Sequence, residues 1–274
     1  MPAYINTNVA SINTVRILDS SQKELTTSME RLSSGKRINH ARDDAAGMAI
    51  SSKMTSQING MNQAVRNTND GISMVQTADG AMEGISDKLQ RMRELAVQSA
   101  NGIYSDGDRA ALDIEFQALD DEINRVASSA EFNGTKLLET ASSINIQVSY
   151  ADDSTNGKIA VSLSAVTSSG LSISNDAITT QDLSSSAIGA IDDALSVVNS
   201  ARAKLGATQN RLETTVTDLK NNVENLSASR SRIQDADFAS ETAQLAKSQI
   251  LQQAGMAMLA QANQLPQQVL SLLR

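Results

Sequence analysis

Chemistry at a protein site needs nucleophiles, acid–base groups or metal ligands held at fixed spacing, and few residues of this chain offer that. Its 274 residues include 1 His and 0 Cys. Without thiols there are neither disulfides nor thiolate metal sites. His40 lies close in sequence to Asp43 and Asp44, where an imidazole could share a metal or a proton with carboxylates. Such a centre needs further ligands at helical spacing, as in a His-Glu-x-x-His pattern, and the chain has no second imidazole. His40 therefore reads as a polar connector residue. The run Asp43-Asp44-Ala45-Ala46-Gly47 reads as the cap of the helix that follows, since acids complement the N-terminal end of a helix dipole. Gly71, Gly80 and Gly84 do not form a strand-to-helix phosphate loop and are expected to serve close packing within a helix. No catalytic residue, metal or cofactor is assigned, and the chain is expected not to be an enzyme.

Composition points to a scaffold. Hydrophobic residues make up 40% of the chain, yet there are only 3 Phe, 3 Tyr and 0 Trp. A compact enzyme of this length would fill its centre with more large rings. Long helices zipped by aliphatic side chains do not need them. Pro2 and Pro266 are the only prolines, so nothing between them forbids long helices. The net charge of −8 argues against a nucleic-acid partner and against an anionic membrane surface. No run approaches the ~18 apolar residues of a membrane span. Met1 to Ser21 lacks a basic segment followed by an apolar one, so no signal peptide is expected and export would take a leaderless route.

Periodicity then gives the elements. Ile5, Val9, Ile12, Val15 and Leu18, and later Leu25, Met29 and Leu32, recur at steps of three or four, which predicts a helix over 6–34. Ser33-Ser34-Gly35 ends it, and a charged connector follows. A second helix is expected over 45–100, with Met82, Ile85, Leu89, Met92 and Ala96 as its seam, and a third over 105–129. Ile144, Ile146, Val148 and Tyr150 alternate with polar residues, Asp152 to Gly157 reads as a turn, and Ile159, Val161 and Leu163 alternate again. That is a β-hairpin signature. Leu171 and Ile173 suggest a further short strand pair or a loop. From Ile188 to Ile233 a heptad seam runs through Leu195, Leu205, Leu212, Leu219 and Leu226, with polar Arg202, Gln209 and Arg230 fixing register or marking partial exposure. A helix of that length, on the order of 65–70 Å, must lie along another helix.

The last segment carries a stripe of Leu251, Ala254, Met258, Ala262, Leu265, Val269 and Leu272 among Ala and Gln with few charges. Pro266 is expected to kink or interrupt it. The order of elements places two low-charge helical ends where they can pair with each other. That pair alone buries too little to offset the entropy of ordering, and polymerisation would supply the missing burial. The expected fold is mainly α: an elongated, antiparallel, coiled-coil-like helical rod with a small β-hairpin insert and paired terminal helices. Its expected parts are 1–42, 43–140, 141–186, 187–234 and 235–274. The assembly residues are Ile5, Val9, Ile12, Leu18, Leu25, Leu251, Met258, Leu265, Val269 and Leu272.

Ordered sequence matches sharpen this. Near the start stand Ile5-Asn6-Thr7-Asn8, Glu30-Arg31-Leu32-Ser33-Ser34-Gly35-Lys36-Arg37-Ile38-Asn39 and Asp43-Asp44-Ala45-Ala46-Gly47-Met48-Ala49-Ile50. Asn69-Asp70-Gly71-Ile72-Ser73, Gln90-Arg91-Met92-Arg93-Glu94-Leu95-Ala96-Val97-Gln98 and Phe132-Asn133-Gly134 follow. Ser231-Arg232-Ile233, Asp235-Ala236-Asp237-Phe238 and Gln264-Leu265-Pro266-Gln267-Gln268-Val269-Leu270-Ser271-Leu272-Leu273-Arg274 stand at the other end. With these residues the chain resembles bacterial flagellin over roughly its first 140 and last 90 positions.

The resemblance implies a homopolymeric structural subunit of the secreted, extracellular flagellar filament that serves swimming motility. It implies unfolded export through the flagellar type III apparatus with an export chaperone, and assembly beneath a filament cap above hook–filament junction proteins. Its terminal helices would form the inner tube. Only about Ala141 to Ser186 is available for outer domains, so a minimal form is expected, with Ser and Thr of that stretch as candidates for O-glycosylation. Arg91, Leu95 and Glu115 map onto positions that a vertebrate innate immune receptor contacts in some flagellins. The alternative within the same organelle is a hook–filament junction protein.

Overall fold

The computed structural model describes residues 7–151, 157–174 and 176–271, with backbone alone for 265–271. In order these form α1 (Val9–Ser34), α2 (Ala45–Ser99), α3 (Asp106–Ser129), β1 (Glu131–Phe132), β2 (Thr135–Lys136), β3 (Ser142–Gln147), β4 (Lys158–Leu163), α4 (Gln181–Gln234) and α5 (Phe238–Ser271). The mainly helical class with a small β insert is as the periodicity predicts. The chain divides into two compact units, one of residues 57–224 and one of residues 1–56 with 225–274, and α2 and α4 contribute to both.

The unit of residues 57–224 is built around an aliphatic core. Met82, Ile85, Leu89 and Met92 of α2, Phe116 and Ile123 of α3, and Ile191, Val198, Leu205 and Leu212 of α4 are buried together. Leu219 is buried as well, and Leu195 half-buried. α2 and α4 run antiparallel, as their cross-links show: Asp79 with Arg202 at 2.8 Å, and Arg93 with Asp192 at 2.7 Å. Arg202 on the seam thus ties α4 to α2, with Glu83 also 3.7 Å away, whereas Gln209 bonds only to Glu213 on its own helix. Ser105 caps α3 through a capping box with Asp108. That bond to the Ser105 hydroxyl holds the Asp108 carboxyl below its usual pKa.

β3 and β4 pair antiparallel with Ile146 opposite Ile159 and Ile144 opposite Val161, and the alternation predicted for them puts Ile146, Ile159, Val161 and Leu163 in the core. Tyr150 lies beyond the strand and is exposed. Asp152 to Asn156 of the expected turn lie outside the described residues. Leu171 and Ile173 are buried in a stretch of turns, with no strand pair there among the described residues. A smaller hairpin, β1–β2, turns through Asn133 (φ 49°) and Gly134 (φ 78°). Two successive positive φ angles are what an Asn-Gly hairpin turn requires.

The helical glycines divide into two kinds. A Cβ on Gly71 would collide with the Ile146 side chain, and one on Gly60 would come within 2.7 Å of Tyr150 Cβ. Eleven residues apart, these two glycines lie on one face of α2 and let the hairpin segment approach it. Gly80 and Gly84, expected to serve the same purpose, face open space instead. In the unit of 57–224 they cost helix propensity without a packing return, and this corrects the sequence reading.

This contrast is measurable. Gly71→Ala should lower stability by about 1–3 kcal/mol through overpacking, less whatever Ala recovers in helix propensity. Gly80→Ala should raise it by up to ~1 kcal/mol. Urea unfolding of the two variants checks the opposite signs.

Candidate assembly interface

In the unit of residues 1–56 and 225–274, α1 and α5 lie side by side and antiparallel. Asn8 reaches Ala262, Gln22 meets Gln252, Glu24 accepts from Gln244 at 3.4 Å, and Arg31 stands 3.7 Å from Glu241. Two connectors fix where the pairing begins. Lys36 and Asp235 form an isolated antiparallel bridge, the Arg37 amide donates to Gln234 O (2.7 Å), and the Ala236 amide donates to Gly35 O (3.0 Å). Gly35 ends α1 in the left-handed region (φ 70°), with its amide bonded to Arg31 O. The Arg37 guanidinium donates to Ile233 O at 2.6 Å, a cation on the last carbonyls of α4. Arg230 donates to the Thr55 hydroxyl at 3.2 Å. Asp44 caps α2 by accepting from the Gly47 amide at 2.8 Å, as expected. Asp43 accepts from the amides of His40 and Asn39, which hold its carboxyl below the usual pKa, His40 first. His40 itself pairs with Glu30, 2.7 Å away, rather than with either aspartate, and no cluster of metal-binding side chains occurs among the described residues.

The face of α1 that meets α5 runs Ser11, Thr14, Leu18, Ser21, Leu25, Ser28 and Leu32, residues that are buried or half-buried at alternating steps of three and four. The facing row on α5 is Glu241, Leu245, Ser248, Gln252, Gly255, Leu259 and Ala262. The most deeply buried members are Ser21, Ser28, Ser248 and Ala262. Small side chains allow close approach, and a Cβ added at Gly255 would come within 3.3 Å of Leu18 Cδ1. The Ser248 hydroxyl has no partner. A polar groove of about 520 Å³, lined by Lys23, Glu24, Arg31 and Glu241 among others, opens on the same pair.

The apolar side chains mostly lie elsewhere. Val9, Ile12, Val15, Ile17 and Met29 on α1, and Phe238, Ile250, Leu251, Met256 and Met258 on α5, are exposed. Val9 is 63% exposed, Ile12 61% and Met258 62%. The predicted assembly residues therefore fall into two groups. Leu18 and Leu25 face α5; Val9, Ile12, Leu251 and Met258 face away from the pair. Ile5 and Leu272 lie outside the described residues, as do the side chains of Leu265 and Val269. Leu226, about two turns before the end of α4, is half-buried.

Pro266 does not break α5, which continues through it to Ser271. A proline within a helix withholds the amide that would bond to the carbonyl four residues back, here Ala262. Asn8 supplies the missing donor: its Nδ2 donates to Ala262 O at 2.8 Å. The Oδ1 of the same amide accepts from the Ser11 amide at 3.1 Å and caps α1. One side chain thus starts α1 and satisfies the carbonyl that Pro266 leaves free. Sequence reading missed it because the two residues are more than 250 positions apart.

Comparison with known proteins decides the family. The model of the bacterial flagellin N-terminal helical region matches residues 5–143, and that of the C-terminal helical region matches residues 188–273. The chain belongs to the flagellin family. It is 47% identical over 273 residues to a flagellin of Halalkalibacterium halodurans, covering 98% of this chain and 99% of that one. It is 42% identical over 283 residues to a flagellar filament core protein of Brachyspira hyodysenteriae, covering 98% and 99%. The crystal structure of Bacillus cereus flagellin superposes with a TM-score of 0.50 at 31% identity, over 56% of this chain and 88% of that one. This flagellin is a structural subunit of the extracellular flagellar filament and polymerises with its own kind.

The residues mapped to receptor contact in the unit of 57–224 do not share one environment. Arg91 and Glu115 form an exposed ion pair at 2.9 Å, and Arg91 also bonds Glu94 at 2.9 Å. These carboxylates, Glu94 first, raise the guanidinium pKa above its ordinary value. Leu95 is 1% exposed and belongs to the core. Its expected role as a direct surface contact is corrected accordingly: it supports the helix face that presents Arg91.

The Asn8–Ala262 bond has a testable signature. Asn8→Ala should lose about 1–2 kcal/mol through the cap alone, with the loss of the Ala262 partner added. In Pro266→Ala the helix supplies its own donor to Ala262, so the cost of Asn8→Ala should shrink. A double-mutant cycle on the thermal dissociation of assembled filaments measures that coupling.

Proposed function

We propose that the outward faces of α1 and α5 bind the same helices of further copies, so that these terminal helices form the inner wall of the filament. The observation that carries this is the placement of apolar surface: ten of the seventeen large exposed apolar side chains among the described residues lie on α1 and α5. Each is worth about 1.5–3 kcal/mol when fully buried. The α1–α5 seam, lined in part by serines, leaves that gain unrealised in a single chain. Few charges interrupt the C-terminal face: between Ile250 and Val269 there are none. Packing against a like face therefore desolvates little charge. The same helices are the segments that an export chaperone, the filament cap and hook–filament junction proteins would engage. Swimming motility follows from the filament that this packing builds.

Seeded growth tests the reading. Monomer added to short filament seeds should elongate them into tubular filaments seen by electron microscopy. Val9→Ser with Ile12→Ser, or Leu251→Ser with Met258→Ser, should slow elongation at least tenfold while leaving the unit of 57–224 folded. Unimpaired growth of both double variants would reject the outward faces as the contact.

For recognition by a vertebrate innate immune receptor, the exposed Arg91–Glu115 pair is the part that the folded unit offers to solvent. Arg91→Ala should weaken receptor activation in a reporter assay with no change in thermal unfolding. Leu95→Ala should instead destabilise the unit by roughly 2–5 kcal/mol, the cost of a large-to-small core change.

A further inference from the structure

The chain contains four Asn-Gly pairs: Asn59-Gly60, Asn101-Gly102, Asn133-Gly134 and Asn156-Gly157. With no Cβ on the glycine, its amide nitrogen is open to attack the side-chain carboxamide of the preceding asparagine and expel ammonia. The surroundings decide whether it does. Gly60 lies inside α2, where its amide is committed to the helix ladder. Asn133 and Gly134 are held in the tight β1–β2 turn, and Asn156 lies outside the described residues. Asn101-Gly102 stands in the exposed loop between α2 and α3, within the unit of 57–224. There the Gly102 amide makes no hydrogen bond among the described residues.

Hydrogen-bond donors meet both carbonyls that would react. The Ile103 amide donates to Asn101 Oδ1 at 3.3 Å and so closes a ring that contains the Gly102 nitrogen. The main-chain oxygen of Asn101 accepts from Arg109 Nη2 at 3.0 Å and from the Tyr104 amide at 3.3 Å. Loss of the Gly102 proton puts negative charge on that same oxygen, because the two atoms share one amide resonance. Arg109 and Tyr104 therefore stabilise the nucleophile, and the Ile103 amide stabilises the oxyanion that forms at Oδ1. Arg109 is itself in an unsatisfied state. It is only 4% exposed, and its Nη1 is buried without a partner. Its Nη2 bonds the main-chain oxygens of Asn101 and Tyr104, while the nearby Asp108 is taken by the Ser105 cap. A buried guanidinium without a counter-charge favours a step that brings a carboxylate to it.

We propose that Asn101 is a self-modification site, which the α2–α3 loop and Arg109 convert to isoaspartate. The Gly102 nitrogen, its proton passed to solvent, bonds to Asn101 Cγ. The Cγ–Nδ2 bond breaks, Nδ2 takes a proton and leaves as ammonia, and a cyclic imide remains. Water then adds at the former main-chain carbonyl carbon, whose oxygen Arg109 and the Tyr104 amide polarise. The bond from that carbon to the Gly102 nitrogen breaks; the hydroxyl stays on carbon and the proton goes to nitrogen. One water is consumed and one ammonia released, with no oxidant or cofactor. The chain now runs through Cγ, and the former main-chain carbon is a free carboxylate placed against Arg109. The guanidinium thereby gains a charge-assisted bond to a partner it lacked. The mark is one-way, and it is separate from the assembly faces of α1 and α5.

The test incubates the full-length monomer in mildly alkaline buffer and maps it with trypsin, which puts each Asn-Gly pair in a separate peptide. Electron-transfer fragmentation of peptide 94–109 tells isoaspartate from aspartate and separates Asn101 from Asp106-Gly107. Isoaspartate at 101 should form about tenfold faster in the folded chain than in the free 94–109 peptide, less than the 10²–10³ of a buried oxyanion donor. Its share over aspartate should also be higher in the folded chain. Arg109→Lys keeps the charge but not the forked donor. It should slow conversion at 101 several-fold and lower the isoaspartate share, with conversion at Asn133 as in the parent chain. A rate or an isoaspartate share no higher in the folded chain than in the peptide overturns the proposal. So does a folded Arg109→Lys chain that converts as the parent does. Where that variant fails to fold, the comparison of parent chain with peptide decides alone.

Discussion

Serine is a poor residue with which to hold two long helices together. It buries almost no apolar area, and its hydroxyl must find a partner or bear a desolvation cost. In the seam between α1 and α5 the deepest positions are Ser21, Ser28, Ser248 and Ala262, with Ser248 left unpartnered. The leucines at Leu18, Leu25 and Leu32 are only half-buried there. Ordering each residue costs roughly 1–2 kcal/mol in backbone entropy, so this pair has little surplus as a separate chain. The constraint follows directly: small seam residues let the helices approach closely, and they send Val9, Ile12, Leu251 and Met258 outward, where only another molecule can cover them.

The unit of 57–224 is organised on the opposite principle. Its seam is aliphatic from Met82 to Met92 on α2 and from Ile191 to Leu212 on α4, and a hairpin adds Ile146, Val161 and Leu163. It satisfies itself. Charge is divided in the same way. Residues 57–224 carry 12 basic and 23 acidic side chains, whereas 1–56 with 225–274 carry 11 basic and 8 acidic. A strongly negative surface keeps copies apart in solution, while a nearly balanced one opposes association weakly. The part with unsatisfied apolar faces is therefore also the part that like copies can approach at least electrostatic cost.

How much of this could be read from residues alone depends on whether a pattern has one interpretation. The heptads of α4 did: a seam that long must meet another helix, and Leu205 and Leu212 are buried against one. The hairpin alternation of Ile144 to Leu163 had one interpretation as well. α1 and α5 did not. Each has two helical rows at steps of three and four, and periodicity cannot say which row faces the fold and which faces a neighbour. Of the stripe, Leu251 and Met258 lie on the outward row while Ala262 belongs to the inward one, and that inward row, through Ser248 and Gly255, looks unremarkable in sequence. Gly71 and Gly80 are the same residue on the same helix, and only the presence of Ile146 beside one tells them apart. Leu95 failed for a related reason, since a motif names a helix segment while burial belongs to single positions on it.

Pro266 and Asn8 carry the reasoning one step further. A proline inside α5 should weaken that helix near its end, and the carbonyl it frees at Ala262 would be left without a partner in a dry environment. Asn8 answers that defect only when α1 is helical from Val9 and lies antiparallel to α5 in this register. The cost imposed by Pro266 is thus removed by the other end of the chain, and the cap that begins α1 is fixed by the same amide. Neither helix reaches its full stability before the other is in place. In a subunit whose α1–α5 seam is weak by composition, such a bond favours a state in which both ends order together, and it sets the register in which the outward faces of Val9, Ile12, Leu251 and Met258 meet a neighbouring copy.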